Sequence, residues 1–462
     1  MLSRFKVPLP SAVSFVIWCL FMHQLATQSF VFGSLRGNWD YRYWTTGSNS
    51  LYLVAVSISA ALASLYWFSE RSAGRSRSVV IAVWSLVGVA LPLAGLAFAP
   101  TTLARIIQGD RCTAFYNAAR MYPPLELLAN FTTLASTLPI HAATNMPGKT
   151  LEYAAILRFT DDPMQVGVIT LALAALGGLL VYGVARRWFR DRRAALLALA
   201  LFTVLPARVN FALLPNCISA GLVLLPLYLL LIYIDTRRDW LLPLLGTSVY
   251  LLFVFEPLPL ALGPLFVGVV AQRWFEGQIA PRAAWKLVVL PLLAFALTFG
   301  LFKLCFRFDA FHAFDYLYQD AVDFNQRAYR PYLRWAGTNL IEFGVGLGVF
   351  NAAVSVLALL HFGRVFWVDS RSEGFAEAIR RLLLSRTGNM LVMCIATLVV
   401  LDLWNVNRGE VTRLWIFLSV AMQLAAAGYC CEHRGDATAR LMVATAALQS
   451  VVSTATVAFS PC

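Results

Sequence analysis

Charge is scarce in this sequence. Only 13% of its 462 residues are Asp, Glu, Lys or Arg, against 59% hydrophobic. A water-soluble protein of this size carries about twice that charged fraction. The scarcity excludes an ordinary soluble enzyme, and it excludes a disordered chain, which stays solvated through charge. Cysteine and histidine are few, eight and five residues. No Cys-x-x-Cys occurs, and no spacing marks a metal site or a disulfide framework. No internal repeat, low-complexity stretch or soluble domain stands out.

Apolar runs fill the space. Mean hydropathy is +0.69, and the apolar residues fall in blocks of roughly 18–22, enough to cross ~30 Å of hydrocarbon as helix. Lipid admits only spans that satisfy their own backbone groups, so the blocks are helices. The pattern predicts an all-α polytopic membrane protein with thirteen of them, at about 11–33, 51–68, 79–100, 164–185, 194–214, 217–234, 240–256, 259–272, 286–305, 340–362, 388–404, 411–430 and 440–458. The first block starts basic, but it is too long for a cleaved signal and lacks a small-x-small cleavage site. It is expected to be a retained helix.

The placement of basic residues sets an orientation. With the N-terminus inside, the inner segments are 1–10, 69–78, 186–193, 235–239, 272–287, 362–389 and 431–440, and they hold 22 of the 37 Lys and Arg residues. Such a bias marks the cytoplasmic side. The net charge of +13 is therefore a topology signal. Its clusters are short loop anchors with no folded basic domain behind them, which excludes nucleic acid as a partner.

Two outer connections are long, about 101–163 and 306–339, and loops of that length are usually functional. The first reads as three amphipathic pieces, DRCTAFYNAARM (110–121), LELLANFTTLAS (125–136) and a helix over 150–160 opening at PGKTLEYAAIL. Apolar positions on one face fit helices lying on a membrane surface, where they would roof a cavity between lipid and water. The second, CFRFDAFHAFDYLYQDAVDFNQRAYRPYLRW (305–335), mixes aromatics with carboxylates and amides. That combination hints at acceptor binding and equally fits an interfacial aromatic belt.

GDRCTAFYNAARMYPP (109–124), HAATNMPGKTLEYAAIL (141–157) and NVNRGEVTRLWIFL (405–418) together resemble the GT-C superfamily, polytopic glycosyltransferases that use a polyprenyl-phosphate-linked sugar. The resemblance covers roughly 79–430. It implies two additional helices in 1–78, a catalytic core over 79–339 and further membrane helices over 340–462. It also implies an inverting transfer on the outer, periplasmic face of a bacterial cytoplasmic membrane, to a lipid, glycan or protein acceptor. There are departures. NMPG stands where HPPG is usual, and no second acid adjoins Asp110. Metal-using relatives assemble several carboxylates, so a divalent metal has no evident ligand set here, and no other cofactor is indicated.

The chemistry calls for a base on the acceptor hydroxyl and cations on the leaving phosphate. The transition state is oxocarbenium-like. Asp110 is the first candidate for the base on the resemblance; by residue type alone it equally fits an N-cap of a helix over 111–121. Asp40 is its rival. His141 and Lys149 are expected to turn toward the cavity at the Pro147-Gly148 break; otherwise Lys149 snorkels to headgroups and His141 is a solvated loop residue. Glu256, in FVFEPLPL, is an acid in an apolar run, which is costly unless it faces a polar cavity or lies solvated at an outer turn. Arg208 is expected either to contact substrate or to pair with an acid such as Glu256. Arg408 and Arg413 flank Glu410. Arg413 is a phosphate-clamp candidate or one half of a Glu–Arg pair at a helix end. A transporter or flippase, which would carry its binding groups near mid-membrane, and an O-antigen ligase or polymerase of another fold stay open as alternatives.

Overall fold

The computed structural model describes residues 8–27, 29, 33, 41–44, 47–71, 77–110, 113–404 and 406–459. Among these the chain is all helix, with no strand and one isolated bridge between Tyr43 and Val457. Among the described residues nine helices are long and apolar enough to cross a membrane: Asn49–Arg71, Arg77–Leu96, Pro163–Trp188, Arg192–Asn210, Asn216–Thr236, Leu258–Phe275, Ala284–Phe306, Val349–Ser372 and Arg386–Trp404. Two shorter apolar helices, Ala12–Ala26 and Leu241–Phe255, accompany them.

The remaining predicted spans take other forms. Ile416–His433 and Asp436–Thr456 are helices, less apolar than the nine. They run through the middle of the protein: every residue from Ile416 to Cys430 is buried. A helix buried all round is enclosed by protein and not by solvent or lipid on one face. The predicted block 340–362 divides at Gly348 (φ 92°) into Tyr332–Leu347 and Val349–Ser372. The block 194–214 divides at Pro206, whose missing N–H ends Arg192–Val204 and starts the short Pro206–Asn210.

Close crossings use small residues. A Cβ on Gly221 would lie 2.7 Å from the Cα of Gly177, so only glycine lets Pro163–Trp188 and Asn216–Leu222 approach this far. At the periphery, Ala284–Phe306 has just 6% of its apolar window buried and displays Leu292, Leu293, Leu297, Leu301 and Leu304 outward.

The two ends of the bundle differ in chemistry. At one end the basic loops meet. Arg187 pairs with Asp235, Arg193 with Glu70 and Asp436, Arg273 with Glu276, and Lys286 with Asp239. Arg386 donates to the Phe189 carbonyl and Trp188 to that of Arg386. Six segments separated by up to hundreds of residues thus share one face, as the charge pattern predicts. The long loops gather at the opposite end. There the segment 101–163 folds into Leu103–Gln108, Phe115–Met121, Pro124–Ala129, Phe131–Leu134, Ile140–Ala143 and Gly148–Ile156. The pieces are shorter than the amphipathic pattern predicts because Pro123, Pro139 and Pro147 each restart the chain. The second loop is helical too, as Ala310–Arg327, capped by Asp309.

Candidate functional site

The helix Gly148–Ile156 starts immediately after Pro147, and Gly148 is what seats it. A Cβ there would lie 2.5 Å from the Phe255 Cα and 2.6 Å from the Val254 carbonyl oxygen. With hydrogen in that place, the helix end abuts the end of Leu241–Phe255, and the next residues on each side, Lys149 and Glu256, face one another. Lys149 Nζ lies 2.9 Å from Glu256 Oε1 and donates a second hydrogen bond, also 2.9 Å, to Asn145 Oδ1. Asn216 Nδ2 donates to Glu256 Oε1 at 2.6 Å, and the Ser219 hydroxyl donates to Oε2. Lys149 is 1% exposed and Glu256 6%. This overturns two of the plain sequence readings: Lys149 does not snorkel to headgroups, and Glu256 is not a solvated turn residue.

Taking an ammonium and a carboxylate out of water costs several kcal/mol each, recovered only when both are paired and hydrogen-bonded. Asn145, Asn216 and Ser219 supply the extra bonds. Burial pulls the Lys149 ammonium below its ordinary pKa, with Glu256 acting against that and the nearby Arg413 guanidinium adding to it.

Arg413 belongs to a second cluster on the late segment. Glu410 sits at φ 62° beside Gly409 at φ 78°, a left-handed backbone that a residue with a Cβ adopts at a cost. Its carboxylate accepts from Arg330 Nη2 at 2.5 Å and from Arg413 Nη2 at 2.6 Å. Burial opposes ionisation, yet Arg413 and Arg330 together hold the Glu410 carboxyl below its ordinary range. Arg408 donates to the Arg330 carbonyl at 2.7 Å and lies over the Tyr332 ring. Asn339 clamps the turn, accepting from the Gly409 amide at 2.9 Å and donating to the Asn407 carbonyl at 3.0 Å. Fully buried Glu342 accepts from the Gly33 amide at 2.8 Å. The Glu–Arg pair expected at this helix end is present.

The other expected residues are dispersed. Asp110 is exposed in the turn after Leu103–Gln108 and accepts from Asn117 Nδ2 at 2.7 Å. It caps no helix: the next one starts at Phe115, with Ala114 at its N-cap. Asp40 lies outside the described residues. His141 is buried in Ile140–Ala143 and is not the solvated loop residue of the plain reading. Its carbonyl accepts from Asn145 Nδ2, the same side chain that receives Lys149. Arg208 is wholly buried and does not pair with Glu256; it donates to the carbonyls of Thr203 at 3.3 Å and Gly88 at 3.2 Å and packs over Phe202. It ties two helices together. A small cavity bounded by Trp44, Pro92, Thr101, Asn210, Thr454 and Phe459 contains none of these ionisable residues.

Arg330, Asn216, Ser219, Asn145 and Glu342 carried no distinct signal in the sequence. Asn216, Ser219 and Glu342 lie in or beside predicted apolar spans and Asn145 and Arg330 in the long outer loops, and only the long-range packing gives them their partners. Among the described residues no three His, Cys, Asp or Glu side chains are grouped to hold a metal ion. The chain matches no protein-family model, and no curated protein matches it.

Proposed function

We propose that the protein is a membrane-embedded, inverting glycosyltransferase that takes a sugar from a polyprenyl phosphate. Its acceptor is a lipid, glycan or protein. The site lies at the end of the bundle opposite the basic loops. By the charge bias that end is the periplasmic face of a bacterial cytoplasmic membrane, with the N-terminus cytoplasmic and thirteen crossings. One observation carries the reading. Lys149 is buried among the short helices of 101–163, and the charge of the buried Arg413 acts on it. Lys149 pairs with Glu256 and Arg413 with Glu410, and both cations attract an arriving phosphate.

In the proposed transfer the acceptor oxygen bonds to the anomeric carbon as the bond from that carbon to the phosphate oxygen breaks. The electron pair leaves with polyprenyl phosphate, held by Arg413 and Lys149. The hydroxyl proton passes to a carboxylate, for which the resemblance favours Asp110.

The test is release of free polyprenyl phosphate by purified protein in nanodiscs. It is offered radiolabelled polyprenyl-phosphate sugars and membrane extract, with wild type and Asp110→Asn in parallel. Release by wild type that the substitution abolishes supports both the reaction and the base. Release that survives the substitution keeps the reaction and moves the base. No release with any donor, with labelled substrate still bound in nanodiscs or crossing the membrane of proteoliposomes, favours a transporter over the enzyme.

A further inference from the structure

Glu152 is one helical turn beyond Lys149 on Gly148–Ile156. Both of its carboxyl oxygens are closed off from solvent, and neither has a hydrogen-bond partner among the described residues. No described neighbour reaches it. The elements packed against this helix carry Tyr116, Asn117 and Arg120 on Phe115–Met121, Tyr250 and then Glu256 at the end of Leu241–Phe255, and Thr170 on Pro163–Trp188. Asn117 donates to Gln108 and Asp110 and Thr170 to the Val166 carbonyl, while the Tyr250 hydroxyl is also buried without a partner among the described residues. Tyr116 donates to the Asp161 carbonyl, exposed Arg120 donates to Tyr116, and Glu256 is itself an acceptor. Tyr153, next in sequence, turns to the Leu213 carbonyl. Lys149 acts on Glu152 through charge alone, its donors being directed to Asn145 and Glu256.

Buried polar groups are almost always hydrogen-bonded, and leaving one without a partner costs on the order of 1–3 kcal/mol. Glu256, across the same lysine, shows what a satisfied carboxylate looks like here, with three donors. A sequence under no other constraint replaces the unsatisfied acid with Leu or Gln. Sites that give up stability in this way are characteristic of function.

We propose that Glu152 is a subsite for the hydroxyl groups of a sugar, with its two unpartnered oxygens hydrogen-bonded to the ligand. This rests on the glycosyl-transfer reading and adds to it a residue that recognises the donor's sugar, one turn from the lysine that meets its phosphate. A neutral carboxyl offers vicinal hydroxyls one acceptor and one O–H donor, and a site built to hydrogen-bond a hydroxyl rejects ligands that lack it. The burial that raises the carboxyl's pKa to about 8 keeps it uncharged at neutral pH. It then both accepts and donates, which suits a hydroxyl partner.

The test separates stability from binding. Full-length wild type, Glu152→Leu and Glu152→Gln are melted in nanodiscs with and without farnesyl-phosphate-linked mannose, glucose, arabinose and aminoarabinose. Release of farnesyl phosphate is followed on the same samples after addition of membrane extract as the source of acceptor. The expected result has three parts. Unliganded Glu152→Leu melts at or above wild type. The ligand-induced rise in melting temperature seen in wild type is lost in the leucine variant. Glu152→Gln keeps part of that rise, and for any sugar turned over the leucine variant raises KM 10-fold or more with kcat changed less. A leucine variant that melts well below wild type makes Glu152 structural and overturns the proposal. So does an equal ligand shift in both, even with turnover intact, which leaves the transferase reading standing. A shift in wild type that the leucine variant loses, without release of farnesyl phosphate from any donor, upholds the subsite and removes the transferase. No shift with any sugar overturns the subsite.

Discussion

Lys149 and Glu256 meet at 2.9 Å across 107 residues of sequence, each wholly or nearly buried. Removing one partner strands the other's charge, and such losses are about 3–5 kcal/mol, whereas removing both is close to neutral. Lys149→Met and Glu256→Gln are therefore each expected to lower the melting temperature markedly, with the double variant recovering much of the loss. Four thermal melts in detergent close the cycle. Additive losses would mean that the pair is not coupled.

Gly148 controls that contact. Any side chain there collides with backbone at Val254 and Phe255, which is not a flexible neighbour. Gly148→Ala is expected to destabilise by about 1–3 kcal/mol, the usual cost of overpacking, despite alanine's better helix propensity. A melt at or above wild type would show that the two helix ends separate easily and that the pair is not held by this approach.

Glu152 makes stability depend on pH. Its folded-state pKa is raised to about 8, above its ordinary value of about 4.5 in an unfolded chain, so the folded state binds the extra proton. Stability is then greatest at low pH as far as this group is concerned. It falls as pH rises from about 4.5 to about 8, by on the order of a few kcal/mol, and levels off above that. Glu152→Gln should flatten the melting-temperature profile over that window and be the more stable protein at pH 9. Superimposable profiles would place the titration elsewhere.

Orientation has its own test. Glu373 lies with the basic segments and Asp161 on the roof, and both are exposed. In a background without cysteine, Asp161→Cys should react with a membrane-impermeant maleimide from the periplasmic side and Glu373→Cys from the cytoplasmic side only. The reverse pattern would invert the proposed topology and put the polar site in the cytoplasm.

The sequence by itself determined the broad architecture. Long apolar blocks dictate helices because lipid leaves the backbone no other partner, and the basic segments fall on one face because charge must stay at the membrane boundary. The restart at Pro147-Gly148 was legible, since a proline beside a glycine marks a break, but the sequence left Lys149 open between facing a cavity and snorkelling to headgroups. Helix breaks at Pro206 and Gly348, and the burial of Ile416–His433 within the protein, were not, because hydropathy does not distinguish a lipid neighbour from an apolar side chain. The site was least legible. Asn216 and Ser219 became ligands of Glu256, Arg330 became a partner of Glu410, and Glu152 was left without one, while Arg208 went to backbone carbonyls instead of to Glu256. Those outcomes were decided only by the tertiary structure. A charge inside a low-dielectric bundle is governed by whichever groups packing brings within about 3 Å, and packing depends on contacts across the whole chain.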